Sequence, residues 1–314
     1  MYQTPILIIA FNRPEKVKIL IESLRKVTPN KIYLSVDGPR LGNLNDVENT
    51  NAVKELFANI DWSCDIRRLF HDDNLGCSLA PREAFNWFFS NEHSGVILED
   101  DCIPHVDFFK FAEEMLVKYR DNPAILNING SNLGYRLTNG QSYTFSRYMN
   151  MTGWATWADR AKDIDYSIES WKKVEFPLWY LYTIMRQNVF DFDINWYKYW
   201  KHNFDLTVTK PKITWWDFQW IYYQRSNNKL SVVPAVNLVK NIGFDIEGTH
   251  TQEEKNPAAN VPTHSLIWPL VHTAKVKADY IYEEQFVKWV WCYHKRLPTM
   301  FYIKQFVSRF IGLS

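Results

Sequence analysis

The chain has 314 residues, enough for one large α/β domain or two modest ones with a sizeable core. Its 36 Lys and Arg stand against 35 Asp and Glu, so no net field marks nucleic acid as a partner. Four scattered cysteines, Cys64, Cys77, Cys102 and Cys292, form no CxxC pair, which argues against a zinc site or disulfide framework and for reduced thiols in a cytoplasmic protein.

The opening "MYQTPILIIAFNRP" has no basic leader and no small-residue cleavage site, so it reads as a first strand rather than a signal peptide. No stretch approaches the length of a membrane span. "PILIIAF" is a continuous apolar strand, and "PEKVKILIESLRKV" repeats Val17, Leu20, Ile21 and Leu24 at helical spacing behind Pro14. "KIYLSVDG" is a second strand closing on Asp37, "DVENTNAVKELFANI" a second helix and "CDIRRLFHD" a third strand. "NLGCSLAPREAFNWFFSN" turns helical after Gly76, and "GVILEDD" is a fourth strand. This alternation predicts a parallel sheet covered on both faces, with ligands beyond the carboxyl ends of the strands. Four strand ends carry polar groups there: Asn12-Arg13, Asp37, His71-Asp72 and Glu99-Asp100-Asp101.

The fourth strand ends on three adjacent carboxylates, whose desolvation costs several kcal/mol each, roughly, unless a cation or donors satisfy them. A hard divalent cation such as Mn²⁺ or Mg²⁺ suits such oxygen ligands. Strand alternation would point Glu99 and Asp101 one way and Asp100 the other. A solvated strand end beside a helix cap gives the same triplet. No GxGxxG and no GxxxxGK[ST] follows any strand, which disfavours a dinucleotide fold and a P-loop.

"HVDFFKFAEEMLVKYRDNP" is a helix with Phe108, Phe109, Ala112 and Met115 inward. Beyond residue 124 the pattern loosens into short strands, turns and aromatic clusters such as "NWYKYWKHNF" and "TWWDFQWIYY". With 14 Trp, 17 Tyr and 20 Phe, these clusters suit either a bulky core or the apolar faces of sugars. "NIGFDIEGTH" suggests a mobile loop. The tail from Glu284 mixes aromatics with Lys288, Lys295, Arg296, Lys304 and Arg309. It suits a helix packed on the domain or an amphipathic segment on an anionic membrane, with residues 285–314 as a peripheral contact at the inner face.

"PILIIAFNRP", "LSVDGPR", "NLGCSLA", "GVILEDDCIPHVDFFKF", "MTGWATWA", "TWWDFQW" and "NIGFDIEGTH" follow one another as in GT-A-fold glycosyltransferases. The chain most closely resembles the group containing N-acetylglucosaminyltransferase I and its bacterial cell-surface-glycan relatives, over residues 4 to about 251. The acidic block and "WWD" are the most specific parts. The resemblance implies an α/β GT-A fold, a Rossmann-like, mostly parallel central sheet with helices on both faces, fused to an acceptor-binding lobe. It divides the chain into a nucleotide-sugar-binding half (1–102), an acceptor-binding and catalytic half of the same domain (103–251) and a C-terminal extension (252–314).

It also implies roles. Asp101 would bind Mn²⁺ (or Mg²⁺) bridged to the donor diphosphate, and Glu99 would hold hydroxyls of the transferred sugar, with Asp100 beside it in the donor site. Asp37 would accept from uracil, Arg13 would lie by the nucleotide, and Arg82 would supply a further basic group. Trp216 would line the sugar pocket over Gly153 and Trp154, Asp217 would be the base, and Thr249 and His250 would touch the diphosphate. Asp217 is also suited to cap the helix that follows. The expected activity is inverting transfer from a UDP-sugar, with UDP-GlcNAc as one candidate, to a glycan or lipid-linked glycan in bacterial surface polysaccharide synthesis. Unlike the Golgi enzyme, the chain shows no anchor or stem, and residues 160–212 have no counterpart. Two other readings stand: a sugar-phosphate nucleotidyltransferase, which would want a basic, glycine-rich first turn where "AFNRPEK" offers only Arg13 and Lys16, and a non-catalytic carbohydrate-binding protein, favoured by the aromatics alone.

Overall fold

The computed structural model describes residues 1–185, 194–210, 212–244 and 261–294, with side chains outside 194–195 and 288–294. Thr249, His250 and residues 295–314 lie outside the described residues. The first half alternates as expected: β1 (Ile6–Ala10), α1 (Pro14–Arg25), β2 (Lys31–Val36), α2 (Leu44–Ala58), β3 (Asp65–Phe70), α3 (Gly76–Asn91) and β4 (Ser94–Glu99). A short β5 (Cys102–Pro104) leads into α4 (Val106–Lys118), followed by β6 (Ile125–Asn129), β7 (Tyr143–Ser146), β8 (Trp154–Trp157) and α5 (Ala158–Ala161). Then come α6 (Pro177–Met185), α7 (Ile194–Thr209), α8 (Asp217–Ser226), β9 (Leu230–Pro234), β10 (Val239–Asn241) and α9 (Tyr280–His294).

Eight strands form one sheet in the order β3-β2-β1-β4-β8-β6-β9-β7, and β10 pairs with β5 in a separate ribbon. β3, β2, β1 and β4 are mutually parallel, and β6 is parallel to β9, whereas β8 runs antiparallel to both β4 and β6, and β7 antiparallel to β9. The α/β class and the mostly parallel, Rossmann-like sheet expected from the sequence are thus present.

Strand β1 is apolar throughout because both its faces are covered. Ile6, Ile8 and Ala10 pack with Val17, Leu20 and Leu24 of α1, with Val53 and Phe57 of α2 and with α4. Leu7 and Ile9 face the opposite layer, built from Ala84, Phe85 and Phe88 of α3 and Trp220 of α8. Strand β3 is an edge strand with largely exposed side chains, which explains its charged "DIRRLF".

The stretch that reads as loose turns contains the five helices α5 to α9. In α7, Trp196, Tyr197, Trp200 and Phe204 recur at helical spacing and are buried against Trp171, Leu181, Met185 and Tyr222. The aromatic run "NWYKYWKHNF" is therefore the core of a third apolar cluster and not a sugar-stacking face.

Candidate active site at the carboxyl edge of the sheet

Register places the polar strand ends side by side. Ile9 pairs with Glu99, Ala10 with Val36, and Val36 with Phe70, so Asn12-Arg13, Asp37, His71 and the acidic triplet emerge at one edge. Between β1 and β4 the chain order reverses, which opens a crevice in an α/β sheet.

The cation that the triplet calls for is Arg13. Its Nη2 ion-pairs with Oδ1 of Asp100, its Nε donates to Oδ2 of Asp100 at 3.2 Å, and its Nη1 donates to Oδ2 of Asp101 at 3.1 Å. Both carboxylates are buried, at 1% and 9% exposure. The expectation that Asp100 points away from Asp101 is corrected here: β4 stops at Glu99, and the turn that follows bends both aspartates onto one guanidinium. Burial works against Arg13's charge, but Asp100 and Asp101 together hold it firmly protonated. Lys16, buried on the first turn of α1, adds a second positive charge that acts on Asp101.

Glu99 has a different environment. Burial first, then the like charges of Asp101 and Asp100, push its carboxyl up to about 8, with Asp217 adding to the effect. Burial also raises the Asp101 carboxyl, against the pull of Arg13.

Asp217 is the first residue of α8 and Trp216 holds the cap position, so the aspartate is not the helix's N-cap. It is near enough for its charge to be felt by Glu99, by Tyr199 and by the Cys77 thiol. Cys77, on the first turn of α3, donates its thiol to the carbonyl of Thr214 at 2.8 Å and lies within the fields of Glu99, Asp37 and Asp217. Sequence reasoning passed it over. Its place one residue after the Gly76 turn, at the carboxyl edge, was the available signal.

Asp37 is a staple. One oxygen accepts from the amides of Gly38 and Leu75, each at 2.9 Å, and the other from the amide of Gly76 at 2.9 Å and Nδ2 of Asn74 at 3.0 Å. Four protein donors already fill the carboxylate that the resemblance assigned to uracil. The fit is tight: a Cβ on Gly38 would stand 2.4 Å from the main chain of Asp73.

Two other expected roles change. Trp154, in β8 opposite Ile97, is fully buried, and Trp216 is 7% exposed. The two rings stack at 6.1 Å, and Phe85 packs its edge against both. They are core, not an open pocket wall and floor. Gly153 has φ +58° and its carbonyl accepts from the amide of Gly130 at 2.7 Å, with Val239 of β10 packed over it. Arg82 is exposed, with its guanidinium 4.9 Å from the ring centre of Tyr166.

β10 brings the start of the expected closing loop onto the acids. Asn241 pairs with Cys102, the amide of Ile242 donates to the carbonyl of Asp101 at 2.9 Å, and Gly243 abuts the Asp101 carboxylate. Residues 245–250 of that loop lie outside the described residues. Among the described residues, no three His, Cys, Asp or Glu side chains converge on a point that could hold a metal ion. With Asp100 and Asp101 both turned onto Arg13, the side chains as arranged do not fit the Mn²⁺ (or Mg²⁺) expected at Asp101.

No protein-family model matches the chain, and no curated protein matches it. Among solved structures, it is similar to HddC from Yersinia pseudotuberculosis, solved as a complex with GMP-PN, at 13% identity and TM-score 0.32 over 51% of this chain and 78% of that one. It is also similar to 4-diphosphocytidyl-2C-methyl-D-erythritol synthase from Anaerococcus prevotii, at 11% identity and TM-score 0.33 over 72% and 98%. These structures are nucleotidyltransferase-like and not GT-A glycosyltransferases, and the glycosyltransferase function expected from the sequence is corrected on that finding. The inverting, manganese-dependent chemistry attached to it finds no support in these structures.

Proposed function

We propose that the chain is a sugar-phosphate nucleotidyltransferase, joining a nucleoside triphosphate to a phosphorylated sugar and releasing pyrophosphate. The observation that carries this reading is the pair of cations on the first strand-to-helix turn, Arg13 and Lys16, facing buried carboxylates where the chain order reverses between β1 and β4. A triphosphate brings several negative charges to such a turn. Arg13 can answer them with paired, charge-assisted hydrogen bonds, helped by the N-terminal end of α1.

In the reaction, a phosphate oxygen of the sugar phosphate attacks the α-phosphorus of the nucleotide. The new oxygen–phosphorus bond forms as the bond to the bridging oxygen breaks, and the electron pair leaves with pyrophosphate. Such transfers rest chiefly on positioning and charge stabilisation. In this reading Glu99 and Asp217 hold hydroxyls of the sugar phosphate, and Cys77 ties the start of α3 to the segment leading into Asp217. The first turn, "AFNRPEK", contains no glycine, so the cations and not a glycine cradle must hold the phosphates. The nucleotide partner of this reading is a nucleoside triphosphate on entry and a nucleotide sugar on release.

The test is pyrophosphate release from each of the four common nucleoside triphosphates with hexose 1-phosphates, with and without Mg²⁺. Release that depends on both substrates and falls at least about a hundredfold in Arg13→Ala supports the reading. Silence across the panel rejects it.

A further inference from the structure

We propose that Asn150 and Thr152, on the turn leading into β8, select the sugar phosphate by holding a vicinal pair of its ring hydroxyls across the crevice from Glu99. This rests on the nucleotidyltransferase reading and adds to it the residues that choose the sugar. Register puts the turn beside the acid. Ile97 of β4 lies opposite Trp154, and a Cβ on Gly153 would stand 3.2 Å from the side chain of Leu98. Two residues beyond Ile97, Glu99 therefore comes level with Thr152. Ile97 belongs to the apolar layer under α3 and α8 and Leu98 to the opposite one, so strand alternation turns Glu99 towards α3 and α8. Met151 packs against that same layer, which includes Trp216, the residue before Asp217. Asn150, Met151 and Thr152 are each partly exposed.

The two side chains offer complementary atoms. Oδ1 of Asn150 accepts from the amide of Thr152 at 2.8 Å, which leaves Nδ2 as a donor for another group. Among the described residues neither that Nδ2 nor the Thr152 hydroxyl has a partner, and both keep contact with solvent. A fixed donor, a hydroxyl that both donates and accepts, and the carboxyl of Glu99 match the donors and acceptors of neighbouring sugar hydroxyls. The charge of Asp217, felt at Glu99, disfavours a phosphate on this side and leaves the uncharged ring as the occupant.

The turn is anchored from the interior. Gln224 of α8 donates to Ser231 of β9 at 2.7 Å, Ser231 donates to Asn127 of β6 at 2.6 Å, and Asn127 donates to Oδ1 of Asn129 at 2.7 Å. That last oxygen also accepts from the amide of Asn150 at 3.1 Å. All four of these side chains are 0% exposed. Apolar residues would join α8, β9 and β6 without the cost of burying polar groups, whereas these hydrogen bonds fix where the turn begins. The helix that carries Asp217 and the turn that carries Thr152 are thereby held in one frame, as selection between hydroxyl positions requires.

The experiment titrates the full chain with glucose 1-phosphate, galactose 1-phosphate and mannose 1-phosphate in a calorimeter, then with the deoxy forms of the tightest binder. Thr152→Val, which keeps the shape of the side chain, and Asn150→Ala should each weaken that sugar phosphate about fivefold. The Kd for nucleoside triphosphate should stay within about twofold in both, and Thr152→Ser should bind as the wild type does. One deoxy form should lose about fivefold on the wild type and nothing further on Thr152→Val, because the lost hydroxyl and the lost side chain share one hydrogen bond. Pyrophosphate release with an unchanged sugar-phosphate KM in both variants overturns this inference and leaves the reaction standing. Sugar-phosphate binding that weakens in the variants, with no pyrophosphate release, removes the reaction and keeps the subsite. No binding by the wild-type chain overturns the inference. So does an equal loss of triphosphate affinity in the variants, since the turn would then serve the fold alone.

Discussion

The main chain at Gly243 lies so close to Asp101 that a Cβ there would stand 2.1 Å from Oδ2 of the aspartate and 3.0 Å from Oδ1 of Asn241. That oxygen of Asp101 is the one that Arg13 holds at 3.1 Å, so it is not a loose side-chain end able to step aside. The β10 segment and the carboxylate edge are thereby locked to each other. Gly243→Ala should cost about 1–3 kcal/mol and reduce turnover together with stability. Denaturant melts with parallel pyrophosphate-release assays check this. Wild-type stability in the alanine variant would mean that the segment sits elsewhere.

Arg13→Ala removes the guanidinium from two buried carboxylates. Breaking a buried pair of this kind costs about 3–5 kcal/mol, because uncompensated charge stays behind. With Arg13 gone, the acids should also accept an external cation. Adding Mn²⁺ is expected to raise the Tm of Arg13→Ala and to leave that of the wild type unchanged. Scanning calorimetry with and without Mn²⁺ gives the answer, and a larger shift in the wild type contradicts the arrangement described.

The resemblance made Trp154 a pocket floor, whereas its ring is enclosed by Phe85, Trp216 and Trp220. Trp154→Ala should therefore destabilise by about 3–5 kcal/mol. Trp154→Phe should cost less and leave the KM for substrate within about twofold. A raised KM with unchanged stability would return Trp154 to the site.

Asp46 provides a pH signature. The hydrogen bonds from Arg40 come first among the causes that lower its carboxyl to about 2, with Asn12 helping at 2.7 Å and burial opposing. A carboxyl lowered on folding stabilises above its unfolded value near 4, and that stabilisation is lost as pH falls through 2. Asp46→Asn should be less stable than wild type by about 1–2 kcal/mol from pH 5 to 7, the figure being reduced because Arg40 is largely exposed. The gap should close on acidification from about pH 4 to pH 2. A gap independent of pH would show that the carboxylate charge is not responsible.

Residues 1–102 were the most legible part of the sequence. Buried parallel strands read as unbroken apolar runs, Pro14 and Gly76 mark where helices begin, and the polar strand ends do line one edge. The side chains at that edge were harder to read. Strand alternation could not show that the chain turns after Glu99, so the convergence of Asp100 and Asp101 on Arg13 was hidden. Asp37 looks like a free acceptor until the amides of Leu75 and Gly76, remote in sequence, close on it. In α7 the polar residues between the aromatics obscured a helix whose buried stripe is nevertheless regular. Motif order, finally, suggested a glycosyltransferase, whereas the solved structures named above are nucleotidyltransferase-like; similar sheet edges serve different chemistries.

The antiparallel β8 is slotted between β4 and β6, with Ile97 opposite Trp154 and Asn129 opposite the same residue. A polypeptide severed after residue 102 would leave the hydrogen-bonding rim of β4 bare along an almost wholly apolar strand, inviting self-adhesion. Splitting this protein for complementation, or grafting its second half onto another sheet, can succeed only if β8 travels with the first half.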